Sequence, residues 1–341
     1  MRTPSRNYSI GRSWPVLLAG TAAALTSATH ADAADWTKHF RVGMQVTLNI
    51  EAEFSGGGLL NIPTRDGVYD NGTVLPDDSG TDETTFWSYN NNGQVEGQVI
   101  TFSRSESFTG AFGDSKSDDS PYLGLELAYG QAFARWGEAL IGWEAGYSFL
   151  PISISDTRRA SGIASVARFQ HEAPPGVIIP GAPYQGPRRG GGAPVIGLEP
   201  VGDPVSEDLP GTASSSSKLD VSLHMLRAGP TIHLELARRW AVQGGIGPAI
   251  GYVTGDYKFN ERLGVTDGPS REAEGEIGGD AFVYGGYAQA LLLFHFEEHG
   301  DIYAGLQFMG LTGADFEEGD RSAKLNLGAT LSFLIGVNWP F

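Results

Sequence analysis

Seven charged side chains stand in stretches of the sequence that otherwise alternate between apolar and polar residues. In residues 39–54, HFRVGMQVTLNIEAEF, every even position from 40 to 54 is apolar, and an arginine and two glutamates take odd positions. Later stretches carry further charges in the same phase. Side chains of both signs on one face form a network of ion pairs or line a path for charged solutes. The seven are Arg41, Glu51, Glu53, Glu126, Glu144, Arg227 and Lys324.

The elements that must position these charges are β-strands, because the apolar residues recur with a period of two. The phase of the alternation changes near Arg227, which predicts a β-bulge there. Pro248 predicts an interrupted ladder, since proline donates no backbone hydrogen bond. The predicted strands are 39–54, 121–135, 139–154, 217–236, 240–257, 280–296, 302–313 and 322–341.

The links between these eight strands alternate between short and long. If each strand runs antiparallel to the next, all short turns fall at one end of the sheet and all long loops at the other. The sequence therefore predicts an all-β fold, an antiparallel up-and-down barrel of eight strands. The short links are 135–138, 237–239 and 297–301, and the longer ones are 55–120, 155–216, 260–279 and 314–321.

The apolar face of each predicted strand carries no Asp, Glu, Lys or Arg until the strand ends. A charge that faces lipid at the bilayer midplane costs about 2–4 kcal/mol, so this exclusion fits a hydrocarbon solvent outside the barrel. Aromatic residues gather at both ends of the strands, for example Phe40 and Trp339 at the short-turn end. These patterns predict transmembrane strands, with Phe54 at the lipid interface and Glu51 and Glu53 facing the lumen.

The first 33 residues have the layout of a secretory signal peptide. Three arginines precede an apolar run at 14–28 that is too short to span a bilayer, and residues 31–33 form a small-x-small cleavage site. We therefore expect a signal peptide at 1–33 and one barrel domain at 34–341. The chain has no cysteine, so the exported domain contains no disulfide. Its formal net charge of −17 speaks against the basic patch that nucleic-acid binding needs, and we expect no nucleic acid as a partner.

The C-terminal segment 326–333, NLGATLSF, resembles the assembly signal of bacterial outer-membrane β-barrel proteins. The terminal phenylalanine is also similar to that of this family, although Pro340 is unusual before it. The resemblance is to the small transmembrane barrels of the outer-membrane-protein A and X superfamily, and segment 68–97 resembles one in uncharacterised outer-membrane proteins. It implies the outer membrane of a Gram-negative-type bacterium, contact with outer-membrane lipid, and the barrel-assembly machinery as a partner during biogenesis. The residues that carry it are Asn326, Gly328, Leu331, Phe333 and Phe341.

The two longest links, 55–120 and 155–216, are predicted to be long extracellular loops. The first is rich in carboxylates, which predicts a solvated acidic loop, because the D-x-D-x-D-G order of a calcium site is missing. Residues 93–105 alternate well enough to form a strand with a partner at 107–112, so a ten-stranded barrel is the alternative. The second loop holds nine of the chain's 19 prolines, which predicts an extended or mobile loop without a packed core.

We expect a non-catalytic barrel that is structural or presents its surface loops, without a cofactor or a metal. No spacing among the histidines marks a nucleophile–base pair or a zinc site. The first alternative is a small cation-preferring pore, although eight strands leave an interior that side chains fill. The second is an exported soluble barrel with an apolar interior, which binds a lipophile as lipocalins do. The sequence does not identify an extracellular partner for the loops.

Overall fold

The computed structural model describes residues 38–56, 65–296, 300–319 and 321–341, so the predicted signal peptide lies outside the described residues. The described chain is mostly β-structure, with one turn of 3-10 helix at Asn92–Gln94. The prediction of an all-β antiparallel fold is confirmed. The strands, in chain order, are β1 (Lys38–Leu48), β2 (Glu51–Ser55), β3 (Val68–Tyr69), β4 (Gly72–Val74), β5 (Glu83–Thr84), β6 (Trp87–Tyr89), β7 (Val95–Glu96), β8 (Val99–Phe108), β9 (Ser115–Ser117), β10 (Tyr122–Trp136), β11 (Ala139–Glu172), β12 (Tyr184–Gln185), β13 (Ile196–Gly197), β14 (Val205–Ala237), β15 (Trp240–Val265), β16 (Ser270–Phe296), β17 (Gly300–Leu311), β18 (Ala314–Glu318), β19 (Arg321–Asn326) and β20 (Thr330–Pro340).

Eight of the described strands close into a ring, and each pairs antiparallel with its neighbours. The order round the ring is β1, β10, β11, β14, β15, β16, β17 and β20, after which β20 returns to β1. Phe40 on β1 pairs with Tyr129 of β10 on one side and with Trp339 of β20 on the other. A closed ring leaves no free strand edge within the wall. No helix in the described residues is long and apolar enough to cross a membrane.

The lower part of the ring, nearest the short turns, exposes apolar side chains on its outer face. On β10, Leu123, Leu125 and Leu127 are exposed outward, whereas Glu126 between them is buried. Corresponding residues of the other strands complete a continuous surface, which we call the apolar belt. Its further members include Val42, Met44, Trp143, Tyr147, Leu226, Ile232, Ile246, Ile250, Phe282, Tyr284, Leu292, Leu306, Phe308, Phe333 and Ile335.

Aromatic rings mark both edges of the apolar belt. At the upper edge, Tyr252 and Phe282 are cross-strand partners with ring centroids 5.1 Å apart. At the lower edge, Trp240 and Phe294 are partners with centroids 4.8 Å apart. Amphipathic rings of this kind favour a membrane–water interface. The predicted outward position of Phe54 is wrong, because its side chain is fully buried inside the barrel.

Four strands continue far above the apolar belt. β11 and β14 have 34 and 33 residues and pair continuously from Ala139↔Leu234 to Arg168↔Val205. β15 and β16 have 26 and 27 residues. At about 3.3 Å per residue, β11 is roughly 110 Å long, more than three times the ~30 Å thickness of a bilayer's hydrocarbon core. The prediction that 155–216 is one loop is therefore wrong for its two ends, which are strand.

The upper wall is completed by a second sheet in the order β18, β19, β2 and β9. Along the chain, β2 follows β1, β9 precedes β10, β18 follows β17 and β19 precedes β20. β9 is tied to β11 through Ser115 Oγ, which donates to Asp156 Oδ2 at 2.6 Å. β18 packs against β16, where a Cβ added at Gly279 would meet the ring of Phe316 at 2.9 Å. The barrel therefore extends upward with walls on all sides.

Asn49 marks the level at which the interior changes from polar to apolar. Below it, odd positions such as Arg41 point inward, whereas above it even positions such as Phe54 are buried. Asn49 has a φ of 62°, a left-handed conformation that asparagine tolerates better than most residues. Asn49 is one of the two residues between β1 and β2, and its conformation exchanges the two faces of the strand. Glu51 and Glu53 consequently lie on the outside.

The interior beside β14 also changes from polar to apolar at this level, but β14 has no bulge there. Odd positions from Leu219 to Arg227 remain buried, and the pairing with β11 shows no shift. The apolar residues at odd positions before Arg227 line the upper interior, whereas the apolar residues at even positions after it, such as Ile232, face outward in the apolar belt. The predicted bulge near Arg227 is therefore wrong. The ladder between β14 and β15 is interrupted around Pro248, as predicted.

The remaining strands build a packed unit on the upper part of β11, which we call the upper module (residues 65–108 and 169–204). β8 pairs with the upper part of β11, so residues 93–112 add no strand to the closed ring. β3, β4, β6 and β12 form a small sheet, and β5 pairs with β13. The proline-rich segment joins this fold, against the expectation of a loop without a core. The core residues are Tyr69, Val74, Trp87, Tyr89, Ile100, Phe102, Ala173 and Ile196.

Candidate functional site: the barrel interior

Glu144 is fully buried at the centre of the lower interior. Its Oε1 accepts hydrogen bonds from Arg41 Nη2 (2.7 Å), Arg227 Nη1 (2.8 Å) and Gln289 Nε2 (2.9 Å). Its Oε2 accepts one from Gln243 Nε2 at 2.9 Å. These donors come from β1, β14, β16 and β15. Glu144 on β11 therefore connects the walls across the full width of the ring.

Glu126 is the second buried carboxylate of the same level. Its Oε1 accepts hydrogen bonds from Arg227 Nη2 (3.0 Å) and from Arg41 Nη2 (3.4 Å). Each guanidinium also lies over an aromatic ring, Arg41 at 5.1 Å from the centroid of Tyr303 and Arg227 at 4.9 Å from that of Tyr287. Cation–π contacts of this kind stabilise cations in desolvated sites.

Arg41, Glu126, Glu144 and Arg227, which we call the charge cluster, contain two positive and two negative charges. Burying ions is costly, and the cost is offset only where good geometry and further hydrogen bonds satisfy both partners. Gln243 and Gln289 give Glu144 further hydrogen bonds, and each guanidinium lies over a tyrosine ring, whereas Nε and Nη1 of Arg41 and Oε2 of Glu126 have no hydrogen-bond partner in the described residues. The cluster is therefore suited to hold the walls together, and its side chains fill the cross-section rather than line an open path.

Above the charge cluster the interior is filled a second time, by apolar side chains. Phe54 on β2 and Tyr257 on β15 come from opposite walls, and their ring centroids are 5.8 Å apart. A layer of this kind excludes ions, because an ion crossing it loses its hydration without gaining partners. Other buried members of the layer include Ile50, Leu150, Ile152, Ile154, Leu219, Val221, Leu223, Met225, Val253, Ile277, Val283, Leu311, Phe316, Leu325 and Leu327.

Only four of the seven predicted lumenal charges meet in the charge cluster. Glu51, Glu53 and Lys324 lie on the outer face of the upper wall, where Glu53 and Lys324 are cross-strand partners. Glu53 also lies 3.8 Å from the ammonium of Lys116. The lumenal prediction is wrong for these three residues. For the two glutamates the cause is the exchange of faces at Asn49, which the alternation of residue types does not reveal.

Sequence reasoning missed two side chains of this site. His39 Nε2 lies 3.2 Å from Glu144 Oε2, and Gln243 donates to the same oxygen. Both residues occupy inward-facing positions in the alternation of their strands, and this position is the sequence signal that could have identified them.

The predicted assembly signal spans a turn and the last strand. Asn326 ends β19, and its Oδ1 accepts a hydrogen bond from the backbone N–H of Gly328 at 3.0 Å. Leu331 and Phe333 lie on β20, where Phe333 is exposed in the apolar belt. Leu331 and Phe333 therefore lie on the strand that closes the ring against β1.

Phe341 follows the last strand at the short-turn end of the barrel. Its backbone N–H donates to the carbonyl of Lys38 at 2.8 Å, and its own carbonyl accepts from the N–H of Lys38 at 3.1 Å. The C-terminal residue is thus hydrogen-bonded directly to the start of β1, and its side chain is exposed. This last pair extends the ladder between β1 and β20 by one residue on each strand.

His171 is buried in the upper module. Its Nδ1 lies 2.9 Å from the carbonyl oxygen of Gly197, so Nδ1 carries a proton, and Nε2 accepts from the hydroxyl of Tyr69 at 2.9 Å. Burial lowers the pKa of His171 below its ordinary value and raises the pKa of Tyr69. A neutral imidazole therefore joins three separate strands of the module, which is a structural role.

Asp77 anchors a turn of the acidic segment. Its carboxylate accepts hydrogen bonds from the backbone N–H groups of Ser79 and Thr85, both at 2.8 Å, and from their hydroxyls. The bond from the Ser79 hydroxyl is the largest cause of the lowered pKa of Asp77. Both oxygens of this carboxylate therefore accept hydrogen bonds from residues of the same turn.

No protein-family model matches the chain, and no curated protein matches its sequence. Among solved structures it is similar to Ail, the attachment invasion locus protein of Yersinia pestis, with 9% identity, a TM-score of 0.23 and coverage of 90% of this chain and 100% of that one. It is also similar to the outer membrane protease OmpT of Escherichia coli, with 10% identity, a TM-score of 0.29 and coverage of 92% and 99%. A FadL homologue of Pseudomonas aeruginosa is similar as well, with 8% identity, a TM-score of 0.18 and coverage of 89% of this chain and 90% of that one. Likenesses this weak carry no argument about what this chain binds or does.

Proposed function

We propose that the chain is a non-catalytic β-barrel of the bacterial outer membrane that holds a folded module above the membrane surface. The observation that carries the proposal is the apolar belt, which surrounds the ring at the level where the interior is charged. Such a surface is stable against hydrocarbon and unfavourable in water. The charges of the cluster are engaged with one another, which supports a structural role for them.

The height of the apolar belt agrees with a bilayer. On β10 the outward apolar residues run from Leu123 to Phe133, both of which are exposed. Ten steps of about 3.3 Å, tilted by about 45°, project to roughly 23 Å, close to the ~25 Å height of the apolar band of outer-membrane barrels. Above this level the outward positions of β11 and β14 become polar, as at Ser153 and Ser216.

The two filled levels of the interior support a barrel that does not conduct. Within the described residues, the charge cluster joins β11 to β1 and β14 across the lower level, and the Phe54–Tyr257 contact joins opposite walls above it. Solutes would have to displace both layers. The long strands then act as a rigid stalk, and the upper module is the part that the protein presents to the surroundings.

Membrane fractionation followed by heating in detergent gels tests the location. We expect the mature chain in the outer-membrane fraction, with a band that shifts when the sample is heated. Protease added to intact cells should cleave between residues 174 and 204 of the upper module while the ring is protected. Recovery of the chain in the soluble periplasm without detergent would refute the proposal and favour a soluble lipophile-binding barrel.

Conductance in planar bilayers tests the absence of a pore. The reconstituted protein should be silent, because both interior layers are intact. Small cation-selective steps would instead favour the cation-preferring pore and would show that the interior layers open in the membrane. The heat-shifted band of the same sample shows that folded barrel was present in the measurement.

A further inference from the structure

A second group of polar side chains lies at the lower mouth of the barrel, where His295 stands between two carboxylates. Its Nδ1 lies 2.6 Å from Asp301 Oδ1, and its Nε2 lies 3.1 Å from Glu235 Oε2. Asn338 Nδ2 donates to the other oxygen of Asp301 at 2.7 Å. All four residues line one cavity of about 240 Å³. We call this group the mouth cluster.

The mouth cluster joins strands that are not neighbours in the ring. Asp301 on β17 is the cross-strand partner of His295 on β16 and of Asn338 on β20. Glu235, by contrast, lies on β14, and β15 stands between β14 and β16. The contact between Glu235 and His295 therefore passes over a whole strand on the inside of the wall.

The two contacts of His295 depend on how many protons its ring carries. A neutral imidazole has one N–H group and one lone pair, whereas an imidazolium donates from both nitrogens. Only the imidazolium therefore donates to Asp301 and to Glu235 at the same time. In the neutral ring, the nitrogen without a proton faces an ionised carboxylate, and neither partner has a proton to donate.

Asp301 is better placed than Glu235 to keep the remaining N–H group of a neutral ring. The side chain of Asp301 is 8% exposed, it lies nearer to His295, and Asn338 holds its second oxygen. The side chain of Glu235 is 54% exposed, and its Oε1 lies 2.9 Å from His233 Nε2. Loss of one proton from His295 therefore releases Glu235 rather than Asp301.

Charged groups reach the mouth cluster from several elements. Arg239 lies in the turn after β14, and its backbone carbonyl accepts a hydrogen bond from the N–H of His295 at 3.0 Å. Among the described residues, β15 and β20 contribute only the uncharged Gln243 and Asn338 to the cavity. The titratable side chains that line the cavity besides His295 are Lys38 and His39 on β1, His233 and Glu235 on β14, and Asp301 on β17.

These surroundings favour the doubly protonated ring of His295. The residue follows Phe294, whose ring marks the lower edge of the apolar belt, so it lies outside the part of the wall that faces hydrocarbon. Burial lowers the pKa of His295, but the hydrogen bonds and charges of Asp301 and Glu235 outweigh burial and hold this pKa above its ordinary value. The second proton is therefore bound at pH 6 and is lost as the pH rises through the raised pKa.

We propose that Glu235 and His295 form a proton-controlled clasp over the lower mouth of the barrel. While both ring nitrogens of His295 carry protons, Glu235 is bound and the cavity is closed on the side of β14. When the proton on Nε2 passes to water, Glu235 turns away, and the cavity opens toward Gln243 and His39, which both contact Glu144 of the charge cluster. The clasp goes beyond the structural role of the barrel and does not rest on its location.

Thiol labelling inside the cavity tests the clasp, because the chain has no cysteine of its own. Thr231→Cys places a thiol at a cavity-lining position that is 8% exposed, and Glu138→Cys places a reference thiol in an exposed short turn. Both full-length chains are folded in detergent and labelled with methyl methanethiosulfonate across a pH series. The ratio of the two labelling rates removes the general effect of pH on thiols, and it should rise at least tenfold between pH 6 and pH 9.

Two variants, each made in both cysteine backgrounds, assign this pH dependence to the clasp. Glu235→Ala removes the movable carboxylate and should give a high ratio at both pH values. His295→Gln binds no proton in this range, so its ratio should not change with pH. His224→Gln is the matched control, because His224 faces outward in the apolar belt and bonds to Tyr147, and its ratio should rise as in the unchanged chain. The heat-shifted band on gels shows that each variant has folded.

A ratio that stays constant between pH 6 and pH 9 without these variants overturns the proposal. An unchanged rise in Glu235→Ala or His295→Gln overturns it as well, and so does loss of the rise in His224→Gln. Asp301→Asn, whose side chain has nearly the same size, replaces His295→Gln if that variant does not fold. With one carboxylate beside His295 lost, the midpoint of the rise should move to lower pH, and an unchanged midpoint would contradict the clasp.

Discussion

Arg41 Nη2 and Glu144 Oε1 lie 2.7 Å apart, although β10 stands between the two strands that carry them. The contact therefore crosses the interior instead of following the wall. It requires the two ladders that place β1 beside β10 and β10 beside β11. The contact therefore stabilises this three-stranded part of the ring.

Glu144→Ala should lower the free energy of unfolding by about 3–5 kcal/mol, because it leaves two buried guanidiniums without their shared partner. Urea unfolding in detergent, followed by the heat-shifted band, measures the change. Glu53→Ala is the control, since Glu53 lies on the outer face with an exposed partner, and it should change stability by less than about 0.5 kcal/mol. Equal effects would contradict the exchange of faces at Asn49.

Leu127→Arg should lower the folding free energy in lipid vesicles by about 2–4 kcal/mol, because Leu127 faces outward in the apolar belt. Ser153 faces the same side of the wall at a higher level, so Ser153→Arg should have little effect on the folding free energy. The measurement is the folded fraction across a urea series in vesicles. If both substitutions are equally harmless, the belt does not contact lipid.

Asn49→Val should cost about 1–2 kcal/mol, because a β-branched residue is strained at the φ of 62° found here. Asn49→Gly should be close to neutral, since glycine adopts this conformation without a Cβ penalty. Thermal unfolding in detergent compares the two variants. A larger loss in the glycine variant would show that the asparagine side chain, not the backbone, sets the change of faces.

The upper module should loosen as the pH falls below about 6.5. The pKa of His171 is lower in the folded chain than in the unfolded chain, so the unfolded chain binds more protons in that window and the stability falls as the pH decreases. Limited proteolysis should therefore be faster at pH 5.5 than at pH 7.5, with cleavage between 174 and 204. In His171→Gln the cleavage rate should not depend on pH in this range, and a pH dependence like that of wild type would remove His171 as its cause.

Phe333→Ser should reduce the yield of folded barrel in cells, as the resemblance of 326–333 to an assembly signal implies. The control is Phe282→Ser, because Phe282 is 71% exposed in the apolar belt against 49% for Phe333, but lies on a strand within the chain. Immunoblots of heated and unheated membranes measure the yield. Equal losses in both variants would show that only the apolar contact matters, and Phe341→Ser extends the comparison to the terminal residue.

The sequence alone determined the strand type, the antiparallel order and the existence of one charge-free face, because alternation and link length are local properties of the chain. It also placed Arg41, Glu126, Glu144 and Arg227 on one inward face. Long continuations such as residues 155–172 were not predicted as strand, because they have serines and arginines where the pattern expects hydrophobic residues. They are held in the sheet by their partners rather than by their own pattern.

Only the tertiary structure decided which surroundings each face meets. Alternation defines two faces of a strand, but a single residue with positive φ, Asn49, exchanges them without changing the pattern of residue types. On β14 the faces stay the same while their surroundings change, so the apolar residues at odd positions from Leu219 to Met225 point inward, whereas apolar residues after Arg227, such as Ile232, lie on the other face and point outward. The physical reason is that a side chain is buried only where other side chains pack against it. At each level of the barrel those side chains come from strands that are distant in the sequence, and the surrounding solvent differs between levels.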